Sequence, residues 1–268
     1  MNCEDEAVDL GLKGRKAIVC ASSKGGLGRA CAEALAEAGC DLVLNGRNEQ
    51  TLAETAKAIR QAFNVRVDAV AADVSTAEGQ AELLSACPAP DILVNNNGGP
   101  AFKDFRRLDR DAILQGVTQN MVTPLELIKA VIDGMVERRF GRIVNITSTS
   151  VYAPIPGLDL SSGGARAGLT AFLAGVARTV AASNVTINNI LPGAFDTDRL
   201  RSGFAFSAQK NGTTPDAEAA KRASAIPAGR IGQPKEFGQA CAFLCSEHSG
   251  FITGQNLVID GGAYQSAF

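Results

Sequence analysis

The stretch ASSKGGLG (residues 21–28) gathers glycines where a chain must turn sharply and bring its backbone close to another group. It follows a short apolar run, KAIVCA, and opens LGRACAEALAEAGC, whose apolar spacing is helical and which stops at Gly39. Free amides at a helix N-terminus hold phosphate, so this strand-to-helix turn suits the pyrophosphate of a dinucleotide. A tight turn without a ligand is the alternative, and the position after the first strand favours the dinucleotide. The residues placed to make such contacts are Ser22, Ser23, Lys24, Gly26, Leu27 and Gly28. Other reactive types are sparse. The single histidine, His248, lies in a polar SEHSG segment and reads as a surface residue, so a mechanism with two imidazoles is excluded. The seven cysteines (Cys3, Cys20, Cys31, Cys40, Cys87, Cys241 and Cys245) show no CxxC spacing. They read as reduced, mostly buried thiols of a cytoplasmic protein rather than a disulfide or zinc framework.

Six further β-rich apolar runs follow: DLVLN, RVDAVAA, DILVNN, GRIVNIT, VTINNIL and NLVID. Helical patterns separate them, and several runs do not alternate in polarity. Strands covered on both faces look like this, so the expected fold is α/β, a Rossmann-type doubly wound parallel sheet of about seven strands. A chain of 268 residues can hold this as one domain, and no Pro/Ser-rich linker or internal repeat divides it. Residues 199–227 read as less regular, a candidate lid over a pocket. The net charge of −2 suggests no nucleic-acid partner, and no apolar run approaches the ~18 residues that cross a bilayer. The acidic start MNCEDEAVDLGLKG does not resemble a signal peptide.

Taken in order, these motifs resemble those of the short-chain dehydrogenase/reductase family, over about residues 12–262. Ala21, Ser22, Gly26 and Gly28 fall on the family's Thr-Gly-x-x-x-Gly-x-Gly, with Ser22 replacing the first glycine. NNNG (residues 95–98) matches Asn-Asn-Ala-Gly, bringing Asn96 and Gly98 to the cofactor. ADV matches the segment whose aspartate, here Asp73 followed by Val74, contacts adenine. PGAFDTD, with Pro192, Gly193 and Thr197, matches the stretch that holds the nicotinamide amide. The C-terminal segment 230–262 matches almost throughout, and among family members the chain is most similar to reductases of 3-oxoacyl-acyl carrier proteins. The resemblance implies a nicotinamide cofactor. At the end of the second strand, Asn45-Gly46-Arg47 offers no carboxylate for a ribose diol, while Arg47 and Lys24 offer cations for a 2′-phosphate. NADP(H) is therefore expected to be preferred, with NAD(H) as the alternative.

The family's catalytic set is Asn, Ser, Tyr and Lys, the last two spaced Tyr-x-x-x-Lys on one helix face. By resemblance Asn120 and Ser148 fill the first two positions. Aligning RAGL with the family's Lys-Ala-Gly-Leu puts Arg166 at the lysine and Ser162 at the tyrosine; counting from Ser148 gives Ser161 instead. Either way the phenol is absent, as in a divergent subgroup with both residues replaced. Serine is a far weaker acid than a phenol of pKa about 10, and arginine cannot relay a proton. Tyr152, Asp159 and an ordered water are the substitute donors, and an iminium substrate would need none.

The expected function is NADP(H)-dependent hydride transfer to or from a small carbonyl, alcohol or imine compound, on a non-standard site. The alternative is a relative that binds NADPH without redox turnover, as a sensor or partner subunit. The family's dimer interface falls on the Asn120 helix and the alanine-rich helix after Ser162, which implies a homodimer or homotetramer.

Overall fold

The computed structural model describes residues 8–23, 25–98, 105–154 and 160–266, with only the backbone at 160–162. Seven parallel strands form one sheet in the order β3-β2-β1-β4-β5-β6-β7. They are β1 (Lys16–Val19), β2 (Asp41–Gly46), β3 (Val67–Ala71), β4 (Ile92–Asn95), β5 (Gly141–Ile146), β6 (Val185–Pro192) and β7 (Asn256–Ile259). Each falls on an expected apolar run, with β2 and β6 running one residue beyond it, to Gly46 and Pro192. Strand order reverses between β1 and β4, the topological point at which open α/β sheets leave a crevice beyond their carboxyl ends.

Helices cover both faces, which is why the strands read as continuous apolar runs. Ala17 and Val19 of β1 enter one core with α1 (Leu27–Glu37), α2 (Glu49–Ala62) and α9 (Pro234–Cys245). Ile18 enters the other, with α3 (Ala77–Ala86), α5 (Thr123–Glu137) and α6 (Leu160–Val180). Close helix contact needs glycine at one place: a Cβ on Gly238 of α9 would lie 2.3 Å from the Ala30 carbonyl of α1. Cys20, Cys31, Cys40, Cys87, Cys241 and Cys245 are all free and buried.

At the amino-terminal ends of the strands, opposite the crevice, Arg142 of β5 is 1% exposed. Its guanidinium donates to the carbonyls of Ser246 at 3.0 Å, Gly141 at 2.9 Å and Asn184 at 2.8 Å, joining β5 to the ends of α6 and α9. Burial and the nearby Arg15 pull its pKa down.

The stretch expected to be irregular holds two helices, α7 (Asp198–Asn211) and α8 (Pro215–Ser224). The Thr197 hydroxyl accepts from the Leu200 amide at 3.3 Å to start α7, and Gly212 ends it at φ 66°. Thr214 then caps α8, with Pro215 at its first turn. Polar composition hides the helical period here, whereas the caps are plain.

Candidate active site

The glycine loop leaves β1 through a left-handed residue that is not glycine: Ala21 has φ 47°, a conformation costing about 1 kcal/mol. Ser22 is fully buried, and its hydroxyl lies between the carbonyls of Val19 at 3.0 Å and Asn45 at 3.3 Å. It shapes the turn from beneath. The Ser23 carbonyl accepts from the Thr55 hydroxyl at 3.2 Å, and its side chain packs where Gly46 leaves no room for a Cβ. Gly26 sits in extended backbone before Leu27 opens α1. A Cβ on Gly28 would lie 2.4 Å from the Ala21 carbonyl and 2.7 Å from Asn96 Nδ2. Only glycine fits that cradle. Asn96 Nδ2 itself donates to the Ala21 carbonyl at 3.2 Å, tying the end of β4 to the loop. Lys24 lies outside the described residues.

Arg47 is exposed directly after β2. Asp73 faces the same end: its carboxylate accepts from the Ser75 hydroxyl at 2.7 Å and the Ser75 amide at 2.9 Å. Those bonds, with the charge of Arg47, hold its carboxyl below the usual range. Val74 is buried beside it.

Beyond the ends of β4 and β5 lies a small polar cavity, lined among others by Asn95, Asn96, Asn120, Asn145, Thr147 and Arg166. About 10 Å³ of it is open to the centre of a water molecule, room for roughly one water. Asn120 comes to it on a single π-helical turn, residues Thr118–Val122, between α4 (Arg110–Val117) and α5. The cause is local. Pro124 has no amide to donate back to the Asn120 carbonyl, and the Thr123 amide bonds instead to the Thr118 carbonyl, five residues earlier. Asn120 Nδ2 donates to the Gly116 carbonyl at 3.0 Å, whereas its buried Oδ1 has no partner among the described residues; the same holds for Asn95 Oδ1. Arg166, one turn after Ser162 on α6, has no ion-pair partner among the described residues. Burial, then the charge of Arg199 at the start of α7, pushes its pKa down to about 10, so it stays cationic at neutral pH. Among the described residues, two unmet acceptors and one cation without an ion-pair partner thus line one cavity, groups whose burial calls for a hydrogen-bonding partner.

The other expected residues surround this cavity at different depths. Ser148, half-buried just past β5 and next to the cavity residue Thr147, accepts from the Ser150 amide at 3.1 Å. Tyr152 is 41% exposed and is not among the cavity's lining residues. Its ring stacks on Tyr264 at 5.5 Å, and its hydroxyl accepts from Asn256 Nδ2 at 2.8 Å. The backbones of Ser161 and Ser162 begin α6, and Asp159 lies outside the described residues. Gly98 is exposed past β4. Pro192 ends β6 opposite Ile259, and a Cβ on Gly193 would lie 2.5 Å from Asp260 Cβ. Beside Thr197, the Asp198 amide reaches the Gly25 carbonyl at 3.3 Å, so α7 starts against the glycine loop. His248 is exposed, with Nε2 2.7 Å from the Asp9 carbonyl.

Sequence reasoning missed Asn95, Asn145, Thr147 and Leu169 as lining residues, and Arg199 as a neighbour of Arg166. Asparagines inside otherwise apolar strands were the available signal. A larger groove of about 870 Å³ between α7, α8 and the start of α9 contains none of the expected site residues.

A family model described as enoyl-(acyl carrier protein) reductase matches residues 21–264. The chain is 32% identical over 263 residues to the 3-oxoacyl-[acyl-carrier-protein] reductase FabG of Vibrio harveyi, covering 95% of this chain and 99% of that one. It is also 32% identical over 245 residues to the acetoacetyl-CoA reductase of Allochromatium vinosum, covering 90% and 95%. Among solved structures, L-sorbose reductase from Gluconobacter frateurii, complexed with NADPH and L-sorbose, superposes with a TM-score of 0.91 at 28% identity. That match covers 97% of this chain and 100% of the other. Fold, motif order and full-length similarity agree: the chain belongs to the short-chain dehydrogenase/reductase family of oxidoreductases.

Proposed function

We propose that the protein is an NADP(H)-dependent reductase or dehydrogenase of small carbonyl, alcohol or imine compounds, working without the family's phenol. The observation that carries this reading is the cavity lined by Asn95 and Asn120, whose Oδ1 atoms lack partners among the described residues, and by Arg166, which has no ion-pair partner among them. The cradle at Gly28 and the acid-free end of β2 at Arg47 fit a phosphorylated dinucleotide. When bound, the nicotinamide supplies or takes up the hydride.

The chain's own residues do the rest. Arg166 donates to ribose hydroxyls, as a fixed fork that stays charged. Ser148 donates a hydrogen bond to the substrate oxygen and withdraws charge from it as it becomes an alkoxide. Ser162 or Ser161 leaves space where a phenol would stand. The proton then comes from Tyr152, from water, or from a substrate that already carries it as an iminium. Helices α7 and α8 form the substrate lid, and the active unit is a homo-oligomer.

The test is NADPH oxidation against ketoses, 3-oxoacyl thioesters, simple ketones and cyclic imines, beside a direct measurement of NADPH binding. Turnover of any class supports the reading. Tight NADPH binding with no turnover across the panels overturns it in favour of a protein that binds the cofactor without redox chemistry.

A further inference from the structure

The chain has two tyrosines, and they stand against each other. The rings of Tyr152 and Tyr264 stack with centroids 5.5 Å apart and planes 23° from parallel, an arrangement that aromatic pairs favour. One belongs to the loop after β5, the other to the segment after β7. Contact between residues so far apart in sequence requires each backbone to be steered to it.

The segment after β7 is fastened before it reaches Tyr264. Asp260 packs against Gly193, where a Cβ would lie 2.5 Å from its own. Its carboxylate accepts from two amides, those of Gly262 at 2.9 Å and Tyr264 at 2.7 Å. The Gly261 carbonyl accepts from the Ala228 amide at 3.0 Å, just past α8. These contacts place the Tyr264 backbone without any help from Tyr152.

The Tyr152 side is built differently. Its backbone closes a single 3-10 turn, Thr149–Val151, that starts from Ser148. The bonds that close this turn are local. The Ser150 amide donates to Ser148 Oγ at 3.1 Å and the Val151 amide to the Ser148 carbonyl at 3.1 Å. The amides of Tyr152 and Ala153 both donate to the Thr149 carbonyl, at 3.0 and 2.9 Å. So short a turn gains little stability from its own bonds. Burial does not hold the Tyr152 side chain either, since it is 41% exposed. Two contacts from β7 and the segment after it do: Asn256 Nδ2 lies 2.8 Å from the hydroxyl, and Tyr264 covers the ring.

We propose that Tyr264 is a positioning residue for Ser148: by stacking on Tyr152, it fixes the far end of the turn whose near end carries the serine hydroxyl. It touches none of the reacting groups. The effect on turnover rests on Ser148 polarising the substrate, as proposed above; the effect on the turn does not.

The test compares the parent with Tyr264→Ala and Tyr264→Phe, each in the full chain. Hydrogen exchange followed by mass spectrometry reads the turn without any ligand. In Tyr264→Ala the amides of residues 150–153 exchange about two- to tenfold faster, the worth of one aromatic pair. The amides of β4 and β5 keep their parent rates. Tyr264→Phe retains a ring to stack and keeps the parent protection. On a carbonyl substrate identified by the panels above, kcat of Tyr264→Ala falls about tenfold, because a displaced donor loses part of its transition-state contact. The NADPH dissociation constant stays at the parent value. Parent-like exchange at residues 150–153 in Tyr264→Ala overturns the proposal. So does acceleration by one factor throughout the sheet, which marks a loss of global stability alone. A Tyr264→Phe protein as loosened as the alanine variant, or an unchanged kcat despite a looser turn, overturns it as well. If no compound of the panels turns over, the function proposed above fails, and exchange alone decides whether Tyr264 holds the turn.

Discussion

Arg47 is the residue on which cofactor choice turns. It follows β2 with no carboxylate at the strand end, and its charge reaches Asp73 across the same end of the site. One charge-assisted contact to a 2′-phosphate is worth about tenfold in affinity. NADPH should therefore bind about tenfold tighter than NADH, and Arg47→Ala should abolish the difference in a fluorescence titration. At the reacting centre, Ser148→Ala should lower turnover on a verified carbonyl substrate by ~10²–10³-fold, the usual loss for one donor to a developing oxyanion. Ser162→Ala should cost much less. Tyr152→Phe divides the remaining cases. Its hydroxyl accepts from Asn256, which leaves its own proton free to donate. A ~10²-fold or greater loss names it the acid, and no loss leaves water or an iminium proton.

The elements around the site are fastened by caps that can be titrated. In the first turn of α9, Glu236 pairs with Arg230 at 2.6 Å and accepts from the Gln233 amide at 2.8 Å. Arg230 first, then that amide, hold its carboxyl down at about 2. Because the folded value lies below the unfolded one of about 4.3, the stabilisation is complete above that value and fades as pH falls toward 2. Glu236→Gln should lower Tm by a degree or two at pH 7, since the pair is solvent-exposed, and melting curves of the two proteins should converge near pH 2. The five inner strands were legible in the sequence because burial on both faces writes unbroken apolar runs, and the partly exposed edge strands β3 and β7 because they are rich in β-forming residues. The helices α7 and α8 were not, because their apolar residues are too few to show a period, although Thr197, Gly212 and the pair Thr214-Pro215 mark their ends. The glycine loop and the place of Asn120 were legible as motifs. The π turn that turns Asn120 inward was written only as Pro124, and the cavity residues Asn95 and Asn145 only as polar residues in apolar strands.

For the molecule as a whole, two sets of uncovered apolar residues lie on regular elements or directly beside them. Ile113 and Leu114 of α4 and Phe172 of α6 are 43%, 50% and 56% exposed, on helices that pack against each other. Phe243 of α9, Leu257 of β7 and Phe251, which precedes β7, make the second set, and Phe251 is fully exposed. Self-association through such faces removes apolar surface from water. Phe172→Asp should therefore reduce the mass measured by light scattering, by about half for a tetramer or to the monomer for a dimer. An unchanged mass would remove the α4/α6 face from the assembly.

The sealed thiols give the protein an internal clock. Cys20 lies directly beneath the glycine loop, and burial pushes its thiol up to about 12. A thiol reagent reaches it only in molecules whose loop and first strand have parted, so its rate of alkylation reports how often they part. Cys241 and Cys245, deep between α1 and α9, keep time for the opening of the opposite core. Peptide mapping after a brief pulse of reagent would read both from one sample. A ligand that settles on the loop slows the first clock more than the second.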